Sequence, residues 1–180
     1  MIIGLCGYAQ TGKDTLAEQL TDYNRLAFAD QLKIEVSNML DTVGLDRYDV
    51  ISDPLDNLDK AAFRDMLVFW GRKRRQLDAD YWIKWVAMRY LTDKTNRHVV
   101  TDVRYLNEAL WIGKHKGLVI RIHRPGYEPN NEEESSTIKE IDKAFPLLPK
   151  IVNEGTPKDM EEKFRKIVGT FNNHKAEVVG

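Results

Sequence analysis

The sequence predicts an α/β fold in which helices cover both faces of a mostly parallel sheet, giving three layers and a small lid segment. Short apolar runs alternate along the chain with segments whose apolar residues recur at helical spacing, which is the pattern of βαβ units. The chain has 180 residues, 42% hydrophobic and 31% charged. This length and composition suit a single globular domain over residues 1–180 with a core of its own.

Strands are predicted where a short apolar run is bounded by turn residues. The first run, residues 1–7, is followed by a glycine-rich turn and then by a helical segment, which is how a βαβ unit opens. The later apolar runs are residues 26–29, 98–101, 118–122 and 151–152.

Helices are predicted where apolar residues are spaced three or four apart. The predicted helices are residues 13–23, a segment beginning near Asp30, residues 60–77, 81–92 and 107–116, and a last helix from Pro157. The last helix has a clear start signal, because Thr156 precedes Pro157 and Asp159 completes a capping box.

Three segments lack these patterns. Residues 41–59 contain Gly, Pro and many Asp and Asn residues, and are predicted to be mostly loop. Residues 125–136 are acidic and contain Pro, Gly and Asn, so we expect a mobile flap there, inside a lid that spans residues 124–137. Residues 169–180 are predicted to form a frayed end.

The composition argues against several classes of function. A formal net charge of -1 gives no overall attraction to nucleic acid. The single cysteine, Cys6, cannot form an internal disulfide, which fits a reducing compartment. No uncharged apolar run approaches the roughly 20 residues that span a bilayer, and residues 1–7 lack the basic segment of a secretory signal. We therefore expect a cytoplasmic protein without nucleic-acid or membrane partners.

The first turn matches the phosphate-binding pattern G-x-x-x-x-G-K. Its residues are Gly7, Tyr8, Ala9, Gln10, Thr11, Gly12 and Lys13. Glycines let the backbone curl so that several N–H groups point at phosphate oxygens, and the following helix adds the positive end of its dipole. The Lys13 ammonium can follow the β- and γ-phosphates. Because the motif lies between a strand and a helix, as its mechanism requires, we expect it to bind a nucleoside triphosphate.

The residues after the lysine depart from the usual pattern, which continues with Ser or Thr as a Mg²⁺ ligand. Here Asp14 stands in that place and Thr15 follows. One interpretation is that Asp14 meets Mg²⁺ or its waters, since hard cations prefer oxygen ligands. The other is that Asp14 stabilises the start of the helix while Thr15 takes the metal role.

The third apolar run ends in a carboxylate, Asp102, and Arg104 follows two residues later. In phosphate-loop proteins an acid at the end of a neighbouring strand lies near Mg²⁺, and an arginine there neutralises charge on a transferring phosphoryl group. The alternatives are an Asp that caps a turn and a surface Arg that pairs with Glu108 four residues later.

The middle of the chain is basic and aromatic. Residues 71–75 hold four cations, and Arg64 lies two turns earlier on the same predicted helix. These cations form either a solvated helix face or a site for a second phosphate-bearing substrate. The second interpretation is reasonable because the planar guanidinium of arginine can donate two hydrogen bonds to one phosphate. Trp82 is either a core residue or a ring that stacks on a base. Arg124 precedes the acidic flap, where an arginine could complete a site when the flap closes.

Several segments occur together in an order that resembles the bacteriophage-type deoxynucleoside monophosphate kinases, of the P-loop nucleoside and nucleotide kinase superfamily. The similar segments are G-x-x-x-T-G-K-D-T at residues 7–15, F-A-D-Q-L-K at 28–33, Arg64 with W-G at 70–71, D-Y-W at 80–82, T-D-V-R-Y-L-N-E at 101–108 and I-H-R-P at 122–125. The resemblance covers roughly residues 1–170. It implies a P-loop fold and transfer of the ATP γ-phosphoryl group to a deoxynucleoside monophosphate, with Mg²⁺.

The resemblance also implies a role for individual residues. Lys13 and the loop would hold the ATP phosphates, and Asp14 is normal in this family. The acceptor side would comprise Asp30 and Lys33, and the monophosphate pocket Arg64, Arg74, Arg75 and Trp82. The reaction centre would comprise Asp102 and Arg104, the lid Arg124, and the loop that borders adenine would include Asn153 and Thr156.

Two departures from the family pattern affect the lid and the acceptor side. The lid of family members is often followed by a His and a Ser-Glu pair, whereas this chain has Glu134-Ser135-Ser136, and Gln31 replaces a frequent Pro. Two other functions therefore compete: a P-loop kinase of a small metabolite, such as dephospho-coenzyme A, and a nucleotide-binding regulatory protein without turnover. A homodimer is expected from the resemblance alone.

Overall fold

The computed structural model describes residues 1–44, 62–93 and 97–179, with side chains described as far as residue 174. The chain forms two compact units. The first comprises Met1–Leu26 and Lys94–Gly180, and the second comprises Ala27–Asp93. Most of the predicted loop at residues 41–59 lies outside the described residues, as do the first two residues of the helix predicted at 60–77.

The first unit contains the sheet. Its strands are β1 (Ile2–Cys6), β2 (Asn24–Leu26), β3 (His98–Val103), β4 (Leu118–His123) and β5 (Lys150–Val152). They lie in the order β2-β3-β1-β4-β5, and every described pairing is parallel. All residues of β1 are buried, as expected for a central strand covered on both faces. The carboxyl end of β1 therefore lies between the ends of β3 and β4.

The sheet of the first unit is covered by helices α1 (Lys13–Gln19), α5 (Leu106–Lys114), α6 (Glu132–Ala144) and α7 (Pro157–Val179). On one face, Ile3 and Leu5 share a buried cluster with Leu16 of α1 and Phe164 of α7. On the other face, a Cβ at Gly4 would lie 2.4 Å from Ile112 Cδ1 of α5, so glycine is needed for this close approach. The three-layer α/β/α fold predicted from the sequence is confirmed.

Two predictions for the first unit were wrong. The acidic segment at 125–136 is not irregular throughout, because α6 already begins at Glu132, where Asn131 Oδ1 caps the helix by accepting from Glu134 N at 2.9 Å. The end at 169–180 is helical as far as Val179 instead of frayed. The capping box is confirmed, since Asp159 N donates to Thr156 Oγ1 and Asp159 Oδ2 accepts from Thr156 N.

The second unit contains helices α2 (Phe28–Thr42), α3 (Arg64–Leu77) and α4 (Tyr81–Thr92). The apolar run at 26–29 is divided between β2 and α2, so this helix begins before the predicted Asp30. A small core forms around Val36 and Leu40 of α2. A Cβ at Gly71 would lie 3.2 Å from Leu32 Cδ2, which shows how closely α3 approaches α2 at this point.

None of the helices in the described part of the chain is both long enough and apolar enough to cross a membrane.

Candidate nucleotide-phosphate site

The turn between β1 and α1, residues 7–13, is called the phosphate loop below. Gly7 and Gly12 have φ angles of 152° and 99°, and Gln10 has a φ of 60°. A Cβ at Gly7 would lie 2.4 Å from the Ile122 carbonyl oxygen, and one at Gly12 would lie 2.6 Å from Asn153 Nδ2. Backbone conformation favours glycine at both positions, and at Gly7 the backbone oxygen of Ile122 also leaves no space for a side chain, so the loop forms the tight curl that phosphate binding needs.

Lys13 is the first residue of α1 and is 7% exposed. Its Nζ donates to the carbonyl oxygens of Gly7 at 2.8 Å and Tyr8 at 2.6 Å, so the ammonium is folded back across the loop. Burial and, to a smaller extent, the nearby charge of Arg104 lower the pKa of Lys13 to about 8. The acids that oppose this shift are Asp14, Glu134 and Asp102.

A carboxylate from α6 binds the phosphate loop, and this contact was not predicted from the sequence. Glu134 Oε1 accepts from Ala9 N at 2.8 Å, and Glu134 Oε2 accepts from Asn130 N at 2.7 Å. An anionic oxygen on a loop amide is the interaction that a bound phosphate makes, so this carboxylate stands in for a phosphate oxygen. The two residues are 125 positions apart, so no local sequence pattern relates them.

The end of β3 brings two predicted residues to this part of the first unit. Asp102 is half-buried and Arg104 is exposed, and the charge of each acts on Lys13. The alternative in which Arg104 pairs with Glu108 does not describe the structure. Glu108 is fully buried and accepts from the backbone N–H groups of Arg104 at 2.8 Å and Tyr105 at 3.1 Å. Its carboxylate thus fixes the turn that carries Arg104.

The residues predicted to bind metal are Asp14, Thr15 and Asp102. Asp14 and Thr15 are exposed on the first turn of α1. No group of three or more His, Cys, Asp or Glu side chains among residues 1–44, 62–93 and 97–174 is arranged to hold a metal ion. Mg²⁺ bound with a nucleotide takes one or two protein oxygens and completes its shell with phosphate and water. The oxygen donors of these three residues fit that chemistry, and both interpretations of Asp14 and Thr15 stay predictions.

The predicted adenine border lies after β5. Asn153 Nδ2 donates to the Thr11 carbonyl oxygen at 3.0 Å, and Asn153 N donates to the His123 carbonyl oxygen at 2.7 Å. Thr156 is engaged with Asp159 at the start of α7. In the structure Asn153 supports the phosphate loop and Thr156 caps a helix, while contact of either residue with adenine stays a prediction.

Two arginines lie in or next to β4: Arg121 belongs to the strand, and Arg124 directly follows it. Arg124, predicted to belong to the lid, is exposed, and its guanidinium lies 4.4 Å from the Tyr127 ring centre. Arg121 is 8% exposed, and its guanidinium carbon lies 4.8 Å from the ring centre of Tyr8 in the phosphate loop.

Cys6, at the end of β1, is buried, and burial raises the pKa of its thiol to about 11 although the charge of Arg121 opposes this shift. Cys6 is therefore a buried, protonated side chain at neutral pH.

The residues predicted for the acceptor all lie in the second unit. Asp30 pairs with Arg89 at 3.3 Å, Lys33 and Arg75 are half-buried, and Arg64 is exposed. Arg74 is held by aromatic rings and a carboxylate, as described below. Trp82 is 2% exposed and its Nε1 donates to the Gly71 carbonyl oxygen at 3.3 Å. A ring buried to this degree packs the unit, so the core interpretation of Trp82 is favoured over stacking on a base.

Comparison with known proteins supports the fold. No family model and no curated protein matches the chain. Among solved structures, TT1252 from Thermus thermophilus matches with a TM-score of 0.53 and 18% identity, over 94% of this chain and 97% of the other. A gluconokinase from Sinorhizobium meliloti 1021 matches with a TM-score of 0.51 and 10% identity, over 98% and 96%. At such identities the likeness shows the fold alone.

We predict that ATP affinity falls as pH rises through the pKa of Lys13. The ammonium is charged below about pH 8, and a triphosphate binds the charged form. Between about pH 7.5 and 9.5 the association constant of wild type should fall by roughly tenfold or more. Lys13→Arg keeps its proton throughout this range and should show a flat profile. Titration of both proteins with ATP over this range tests the prediction, and parallel profiles would contradict it.

We predict that Glu134→Gln binds ATP more tightly than wild type. The substitution removes an anion that competes for the Ala9 amide and repels phosphate, so affinity should rise by about three- to tenfold. The matched control is Glu133→Gln, which removes a neighbouring carboxylate from the same first turn of α6, one that accepts from Tyr105 Oη at 2.7 Å. Equal or weaker ATP binding by Glu134→Gln would show that the carboxylate does not compete with phosphate.

Proposed function

We propose that this protein is an ATP-dependent kinase that transfers the γ-phosphoryl group to a deoxynucleoside monophosphate. The observation that carries the proposal is the phosphate loop, whose Gly7 and Gly12 have positive φ angles and whose Lys13 is buried against the loop carbonyls. The G-K-D-T sequence at residues 12–15, which joins this loop to α1, is shared with the kinase family that the chain resembles. The acceptor class rests on that resemblance.

Catalysis of this kind needs positioned charge more than covalent chemistry. Lys13 would follow the transferring phosphoryl group, and Arg104, held by Glu108 through its backbone, would neutralise charge at the same place. Arg124 would add a second cation from the segment between β4 and α6. Mg²⁺, held by Asp14, Thr15 or Asp102 when the nucleotide is bound, would supply positive charge at the phosphate oxygens.

A second candidate is a kinase of another small metabolite. Gln31 and the Glu134-Ser135-Ser136 sequence depart from the nucleotide-kinase pattern at the acceptor side and the lid. Glu134 is also the residue whose carboxylate binds the phosphate loop. The phosphate loop itself keeps the G-x-x-x-x-G-K pattern at residues 7–13, so both candidates predict ATP as the donor.

The proposal is tested by ADP release from ATP and Mg²⁺ in the presence of deoxynucleoside monophosphates, ribonucleoside monophosphates, gluconate or dephospho-coenzyme A. We expect a deoxynucleoside monophosphate to give the highest rate. Lys13→Ala should lower that rate by about 10²–10³-fold, as expected for loss of one group that stabilises transition-state charge. The matched control is Lys166→Ala, which removes an exposed lysine of α7.

Each other outcome has a definite meaning. The highest rate with gluconate or dephospho-coenzyme A would favour the second candidate. ATP binding without stimulation by any acceptor would favour a regulatory nucleotide-binding protein. Wild-type turnover in Lys13→Ala would contradict both kinase candidates.

A further inference from the structure

The second unit contains a cluster of four side chains, Glu35, Trp70, Arg74 and Tyr81, which we call the Glu35 cluster. Glu35 lies on α2, Trp70 and Arg74 on α3, and Tyr81 at the start of α4. Glu35 Oε2 accepts from Trp70 Nε1 at 2.7 Å and from Arg74 Nε at 3.1 Å. Glu35 Oε1 accepts from Tyr81 Oη at 2.6 Å. One carboxylate thus joins the three helices that the structure describes in this unit.

The cluster fixes the plane of the Arg74 guanidinium. Its Cζ lies 4.6 Å from the Trp70 ring centre and 4.7 Å from the Tyr81 ring centre, so two aromatic rings and the Glu35 carboxylate hold the group. Only Nε is bonded to Glu35. Within residues 1–44, 62–93 and 97–174 the two terminal nitrogens have no hydrogen-bond partner, and one third of the side chain is exposed. The guanidinium is therefore held in place by Nε and two rings, and its two terminal nitrogens can still donate to a ligand.

Glu35 is ionised in this setting. Burial raises the pKa of its carboxyl group, but the hydrogen bonds from Tyr81 and Trp70 and the charge of Arg74 outweigh burial, and the pKa lies below its usual value. The negative charge offsets part of the attraction that Arg74 would exert on an anion. The benefit of this arrangement for anion binding is therefore the fixed orientation of Arg74, and not added positive charge. A guanidinium that is already held in one plane loses less rotamer entropy when two of its nitrogens donate to an oxyanion.

We propose that Glu35 is a positioning residue that holds Arg74 as a two-pronged receptor for the phosphate group of the acceptor nucleotide. This inference rests on the proposed function, because it assigns the acceptor phosphate to a residue of the second unit. Glu35 would touch no substrate and would act only through Arg74. The cluster adds a reason, independent of the resemblance, for Arg74 to be the phosphate-binding arginine of residues 71–75.

The test uses calorimetric titration of the full chain with the four deoxynucleoside 5′-monophosphates and the four matching deoxynucleosides. The measured quantity is the ratio of the two affinities, which isolates the phosphate group. Glu35→Gln keeps the size of the side chain and removes its charge, and Arg74→Ala removes the fork. We expect each variant to lower the ratio by about tenfold, and the double variant to lower it no further than Arg74→Ala alone.

A merely structural role for Glu35 would give a different result. It would lower nucleoside and monophosphate affinities together, or add to the effect of Arg74→Ala, and either outcome would overturn the inference. Asp78→Asn is the control, since it removes a carboxylate that pairs with Lys84 in the same unit. It should leave the ratio unchanged.

The binding assay separates this inference from the proposed function. If the wild-type ratio is large but unchanged in Glu35→Gln, the inference fails whatever the turnover assay shows. If the wild-type protein binds monophosphates no better than nucleosides, the inference fails and the nucleotide acceptor fails with it. If the ratios respond as expected but no phosphoryl transfer is detected, the receptor stands and the proposed activity is wrong.

Discussion

The function proposed for this protein depends on which groups accept hydrogen bonds from the Lys13 ammonium and from the amides of the phosphate loop. Both belong to a loop that must curl tightly after the central strand, which is why Gly7 and Gly12 have positive φ angles. In the structure Lys13 donates to loop carbonyls and Ala9 donates to Glu134. Under the proposed function these are groups that a triphosphate would bind, so nucleotide binding would exchange one set of partners for another.

Three glutamates accept hydrogen bonds from donor groups of the residues predicted to bind ligands, or of their neighbours. Glu134 accepts from a phosphate-loop amide, Glu108 accepts from the amides that carry Arg104, and Glu35 holds the guanidinium of Arg74. None of these carboxylates was predicted as a site residue. Under the proposed function, Glu108 and Glu35 would hold an arginine in place before a ligand arrives, which would lower the entropy cost of binding. Glu134 differs, because it occupies an amide that a phosphate would bind. In each case the carboxylate sets the direction of the donor group.

Features of the structure that depend on interactions between residues close in sequence could be predicted from the sequence. The phosphate loop, the buried strands β1, β3 and β4, and the Thr156–Asp159 capping box depend on residues close in sequence, and each was predicted. The early start of α6 was missed, because the acidic residues that suggested a flap also favour a helix start next to the Asn131 cap. Glu134 and Glu35 were missed because their partners lie 125 and 39 residues away. Trp82 could be core or site on composition alone, and burial favours the core.

The most direct test of the central claim is calorimetric titration of the wild-type chain with ATP, ADP and adenosine, each with Mg²⁺ present. If the phosphate loop binds the β- and γ-phosphates, ATP and ADP should bind at least about a hundredfold more tightly than adenosine, as two or more charge-assisted hydrogen bonds require. Equal affinity for all three would contradict the claim, because it would mean that the loop amides and Lys13 contribute nothing to nucleotide binding.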